Sequence, residues 1–188
     1  MRCSHCNTDF CWLCLKRLNS HLEPHTCNRY DSTDSAEDDF EEQALFTFSR
    51  YEAHDAAAAF TMNQYKIFDP EKFLATYWFV DEDEDLKIMD NALKTLLASR
   101  EFLKNSYVAM LGLRKDEKQL KLHEDHHGCL ENFTERLSQL TEKNLHRLYT
   151  LQGQWGVRLH FRKLAFYTAS VMKYTERMEL CKKDGHLK

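Results

Sequence analysis

The sequence predicts a mainly α fold, in which a small loop/β segment precedes an antiparallel helical bundle. Three observations carry that expectation. Residues 1–30 hold five cysteines and three histidines and show little helical periodicity. Residues 31–42, DSTDSAEDDFEE, carry seven carboxylates and no basic side chain. From about residue 40 onward apolar residues recur near a 3.6-residue spacing, and Pro24 and Pro70 are the only prolines, so nothing prevents long helices. The chain of 188 residues is long enough for one domain with an appendage. We therefore divide it into a cysteine-rich segment (1–30), an acidic linker (31–42) and a helical domain (43–188).

The linker repels itself, and its charge suits the approach to a helix N-terminus. The first helix is expected over 40–67, where Phe40, Ala44, Phe48, Tyr51, Ala58, Met62 and Tyr65 repeat at helical spacing. FDPE at 68–71 breaks that pattern and starts a new helix, with Asp69 as N-cap and Pro70 in the first turn. The acidic DEDED at 81–85 precedes Leu86, Met89, Leu93, Leu96, Leu103, Tyr107 and Met110, and Gly112 marks the stop. A third long stretch carries Leu130, Phe133, Leu137, Leu140, Leu148 and Leu151. Gly153 and Gly156 then permit a break or a close helix crossing, and the last helix runs from Val157 to about Cys181. Helical hairpins of this length pack antiparallel. His123 and His127 stand at i and i+4 within HEDHH, a spacing able to chelate a metal. A polar, pH-sensitive helix end near Gly128 is the expectation there. The aromatics Tyr77, Trp78, Phe79 and Trp155 are expected in the core, and RLHFRKLAF at 158–166 on a solvated helix face.

Net charge is −4, and no helix carries a sustained basic face, which argues against nucleic acid as a partner. No run reaches the roughly 18 apolar residues of a membrane span, and no secretory signal opens the chain. Seven cysteines is an odd count, and five crowd beside histidines, so metal binding is preferred over disulfides. The expected compartment is reducing and intracellular: the cytoplasm, with the nucleus as a second location. Cys11 and Cys14 form a C-x-x-C pair that His21 and Cys27 can close into four ligands. Thiolates with a neutral imidazole suit Zn2+, and a segment with so few apolar residues has little else to hold it together. His25 is a rival to His21, although H-x-C leaves a cramped chelate loop. Cys3 and Cys6 form a second pair, with His5 badly placed to join it, and make half of an incomplete site.

The run MRCSHCNTDFCWLC followed by CNRY resembles the second half of the second RING module of RING-between-RING ubiquitin ligases, the Ariadne family above all. LFTFSRYEAH and LENFTERLSQLTEK resemble parts of that family's C-terminal Ariadne domain, so the resemblance covers nearly the whole chain. It implies an E3 that takes ubiquitin from a conjugating enzyme onto a cysteine as a thioester and passes it to a lysine amine. A thiolate suits this because the thioester splits one difficult transfer into two easier ones. The family's thioester cysteine and its neighbouring histidine precede the position matching Met1. The chain alone is therefore expected to have no catalytic residue and to be inactive, as a fragment, a short gene model or a product of an alternative start. Cys129 and Cys181 lie in helical stretches and are expected to be structural thiols.

The resemblance further implies an autoregulatory bundle that masks the second-RING cysteine until a partner, typically a neddylated cullin-RING ligase, releases it. Phe60 matches the aromatic position of the masking surface and Glu142 another position on it, while Thr61 stands where the family has an acid. Loss of that acid removes a charge-assisted hydrogen bond. The competing expectation is a non-catalytic zinc-binding interaction module, acting as a scaffold or competitor.

Overall fold

In the computed structural model, the described residues are 38–112 and 117–183, together with Thr8, Lys16 and Arg17. They form five helices: α1 (Asp38–Ile67), α2 (Pro70–Thr76), α3 (Asp85–Gly112), α4 (Glu117–Thr141) and α5 (Leu145–Lys183). α1 begins inside the acidic run, at Asp38, where carboxylates meet the positive end of the helix dipole. None of the described helices is long and apolar enough to cross a membrane.

Local chemistry explains the starts. The Asp69 carboxylate accepts from the Glu71 and Lys72 amides at 3.1 and 3.2 Å, and Pro70 opens α2 as the sequence predicts. The Lys72 amide first, and then the Lys72 ammonium, hold the Asp69 carboxyl below its ordinary range. Before α3, the Asp81 carboxylate accepts from the Asp83 and Glu84 amides, and the Asp85 carboxylate accepts from the Asp81 amide at 3.0 Å.

The stretch expected to run from Leu130 to Leu151 is two helices, a correction to the sequence reading. α4 ends at Thr141, and Asn144 caps α5 by accepting from the Arg147 amide at 2.9 Å. Leu148 and Leu151 thus belong to α5. The expected break at the glycines is present at Gly153, with φ 62° and ψ −163°, a combination that is nearly glycine-only. A Cβ on Gly153 would meet nothing within 4 Å, so the demand is conformational rather than steric. At Gly156 a Cβ would collide with the Gln152 side chain. Gly153→Ala is expected to lower stability by about 2 kcal/mol, measurable as a lower urea midpoint with an unchanged slope.

α3 packs against α1, α4 and α5. Its Met89, Ala92, Leu93, Leu96 and Leu103 are buried against Leu130 and Leu137 of α4 and Val157, Phe161, Leu164 and Val171 of α5. The Lys104 ammonium pairs with Asp55 at 3.0 Å, and Lys94 lies over the Tyr65 ring, so α1 and α3 run antiparallel. The 77–84 connection is tied to α5: Phe79 stacks on Tyr149 at 4.3 Å, and Gln154 Nε2 donates to the Phe79 carbonyl. Of the aromatics expected in the core, Phe79 is buried, whereas Trp78 and Trp155 are 72% and 70% exposed. Trp78 makes edge contacts to Phe79 and Tyr149.

Candidate functional site

The buried face of α1 is polar. Gln43, Thr47, Arg50, His54, Ala58 and Thr61 recur at helical spacing and point inward. Of the apolar positions that announced the helix, Phe40 and Phe48 are at least half exposed, as are Leu45, Phe60 and Ile67 beside them. On this inward face His54 reaches across to α4.

That docking centres on Glu131 of α4. Its Oε1 accepts from the Tyr107 hydroxyl at 2.6 Å and lies 3.0 Å from His54 Nε2, with His127 Nδ1 at 3.7 Å. Three helices thus converge on one carboxylate. Burial alone would raise the Glu131 carboxyl, but the His54 hydrogen bond, the His127 and His54 rings and the Tyr107 hydroxyl together hold it below its ordinary range. Burial depresses His54, and it depresses His127 to about 3. The stable arrangement is an ionised Glu131 with neutral histidines, His54 donating its Nε2–H. Ser106 uses its hydroxyl proton on the Leu103 carbonyl, so its oxygen accepts from His127 Nε2–H. His123 is also buried, its ring 5.8 Å from that of His127. The helix end expected near Gly128 is therefore corrected. These histidines sit in the middle of α4 and face α1 and α3, because the helix continues thirteen residues past Gly128 to Thr141. Among the described residues no group of three His, Cys, Asp or Glu side chains is arranged to hold a metal.

Phe60 and Glu142 are set by the same packing. The Asp55–Lys104 and Tyr65–Lys94 contacts bracket Phe60, so this part of α1 lies alongside the stretch of α3 that contains Arg100. Arg100 is buried and donates from Nη2 to Ser138 Oγ at 2.9 Å; Ser138 in turn donates to Glu142 Oε1 at 2.9 Å. Burial lowers the Arg100 pKa, and Glu135 and Glu142 oppose that shift. Phe60 is 51% exposed and Glu142 is exposed at the end of α4. Thr61 is fully buried and donates to the Ala57 carbonyl, so it presents no group at the surface. Arg100 and Ser138 were not singled out in the sequence. An arginine inside an apolar α3 repeat was the signal available, since a buried guanidinium requires partners.

The proposed zinc ligands Cys11, Cys14, His21 and Cys27, the rival His25, and the pair Cys3 and Cys6 lie outside the described residues. Cys129 is exposed on α4 beside Tyr174, whose hydroxyl also lies 3.1 Å from His126 Nδ1. Burial and the Cys129 thiol raise the Tyr174 hydroxyl to about 12. Cys181 falls in α5.

No family model matches the chain. Among curated proteins, 155 residues align at 28% identity with the E3 ubiquitin-protein ligase dbl4 of Schizosaccharomyces pombe, covering 76% of this chain and 30% of that protein. The E3 ubiquitin-protein ligase ariadne-1 of Drosophila melanogaster is 25% identical over 150 residues, 75% of this chain and 29% of the relative. The E3 ubiquitin-protein ligase ARIH2 of Mus musculus is 29% identical over 157 residues, 76% and 31%. The chain spans about three-tenths of the length of the curated relatives it matches.

Proposed function

We propose, for a chain whose curated relatives are RING-between-RING E3 ubiquitin-protein ligases of the Ariadne type, that it comprises the zinc-binding end of a second RING and the autoregulatory helical domain of such a ligase. The observation that carries this is the similarity to those ligases, which extends over about three quarters of the chain. The bundle supports it in two ways. It offers a half-exposed Phe60 on α1, and it presents Glu142 just past the end of α4, where Ser138 donates to it. In the complete protein the reaction is ubiquitin transfer through a cysteine thioester, with a ubiquitin-conjugating enzyme and ubiquitin as partners and a neddylated cullin-RING ligase as the releasing partner. Within it the helical domain supplies the mask, and its working compartment is the cytoplasm, with the nucleus as a second site.

Cys11, Cys14, His21 and Cys27 would hold a structural Zn2+, which when bound cross-links their segment; three thiolates and an imidazole are a donor set that zinc accepts. Metal analysis of the purified chain is expected to give about one tight zinc per polypeptide. Cys11→Ser with Cys14→Ser is expected to abolish it while the helical circular dichroism persists. A stoichiometry of about two would bring Cys3 and Cys6 into a complete site.

Masking is tested in trans. The chain, added to an Ariadne-type ligase whose own helical domain has been removed, is expected to slow ubiquitin loading onto that ligase's cysteine. Phe60→Ala with Glu142→Ala is expected to restore loading. Equal inhibition by the wild-type and doubly substituted chains would overturn the masking role, and would leave the competing scaffold reading in place.

A further inference from the structure

The basic stretch at 158–166 is only partly a solvated face. His160 and Phe161 are buried, while Arg162 and Lys163 are exposed. His160 points into a cavity of about 560 Å3 between the C-terminal half of α4 and the restarted part of α5. Arg136 and Lys143 line it from the α4 side and Lys163 from α5, over a floor that includes Leu148 and Leu159. Among the described residues no carboxylate lines this cavity. Lys143 and Lys163 form no ion pair among them either, and Arg136 is engaged only by Gln139 at 3.0 Å. His160 is 5% exposed, and its Nε2 has no hydrogen-bond partner among the described residues.

A buried imidazole nitrogen without a partner, in the wall of a cavity lined by three cations and no anion, is an arrangement that lacks its counter-charge. Gly156, in the first turn after the Gly153 break, also lines the cavity, which places the start of a helical segment at its wall. From this geometry we propose that the cavity bounded by Arg136, Lys143, His160 and Lys163 is a binding site for a phosphate dianion. A dianion suits it better than a carboxylate because three cations and an imidazole converge there, and tetrahedral oxygens can accept from several directions at once. The phosphate is either free or carried as a phosphomonoester on a partner side chain; both present the same oxygens.

Occupancy has a distinct signature at His160. In the empty cavity burial, then Lys143 and Lys163, hold its pKa at about 4. A bound dianion opposes the two lysines, so occupancy moves the His160 pKa back toward its ordinary value.

The test uses the full chain with 13C-labelled histidine. Inorganic phosphate, titrated above neutral pH, where the dianion prevails, and at constant ionic strength against a chloride control, is expected to move the His160 ring resonances saturably. Lys143→Glu with Lys163→Glu, both exposed positions, is expected to weaken the response at least about tenfold. His160→Gln provides a second variant, read by isothermal titration. N-acetyl-phosphoserine methylamide is run beside inorganic phosphate. Tighter binding of the ester assigns the site to a phosphorylated partner, and equal binding assigns it to the free ion. An unchanged His160 spectrum with both probes, or the same response in the double lysine variant, overturns the proposal.

Discussion

Glu131→Ala is expected to lower the unfolding free energy by about 3 kcal/mol, the largest effect of any single polar substitution in the bundle. The side chain is 6% exposed, and three elements depend on it. Its removal takes the shared carboxylate acceptor from the His54 Nε2–H and the Tyr107 hydroxyl inside the α1–α3–α4 contact. Much of the cost of losing a buried acceptor is desolvation rather than the lost attraction. Urea denaturation checks the size, and amide exchange checks the place: protection is expected to fall in α1 before it falls in the Leu96–Leu137–Phe161 core. Glu131→Gln retains an acceptor and loses the charge, so a clearly smaller loss is expected. Equal losses for the two variants would mean that cavity formation, and not the hydrogen-bond network, dominates.

Acidification is the second large perturbation. His54, His127 and His160 all have pKa values below the ordinary 6.5, His127 near 3 and His160 near 4, with burial the leading cause for each. In the unfolded chain each takes up its proton near 6.5. Unfolding therefore binds protons below that pH, and stability falls as the solution is acidified. The contribution is complete above about pH 7 and is lost progressively as the pH falls through 6.5 toward the depressed native values. Each histidine contributes a slope of about 1.4 kcal/mol per pH unit, so His127 alone accounts for about 2 kcal/mol between pH 6.5 and 5. Glu131, held below its ordinary 4.5, adds to the loss only once the pH falls under that value. Urea midpoints at pH 7.5 and 5.0 measure the total. His127→Gln keeps a donor for Ser106 and removes one titrating group, and is expected to flatten the profile by about one proton. A flat wild-type profile would show that these rings are not buried in the neutral form.

Comparison of α1 with α2 shows what could be read in advance. Asp69 and Pro70 announce α2 because a cap and a fixed φ act over three or four residues, wherever the helix later packs. The break at Gly153 was open to the same kind of reading, since positive φ is a property of one residue. The stop at Thr141 was missed because Leu137, Leu140 and Leu148 continue an apolar rhythm across it. The Asn144 cap that overrides this rhythm is a short signal inside a longer one. For α1 the periodicity revealed the helix and gave no indication of its inward face. Apolar residues usually mark that face, and here Phe48 and Phe60 lie outside while His54 and Arg50 lie inside.

The sequence by itself determined the run of helices, their local starts and stops, the donor set proposed for zinc, and the resemblance to Ariadne ligases that the curated relatives bear out. Each of these rests on residues a few positions apart, or on a motif read as a string. Tertiary structure alone decided that His54 meets Glu131 across 77 positions, that Arg100 supports Glu142 through Ser138, and that His160 turns into a cationic cavity. The physical reason is that burying a polar group is unfavourable until a partner is found. That partner comes from another helix, so the identity of the buried polar face belongs to the packed bundle and not to any one segment.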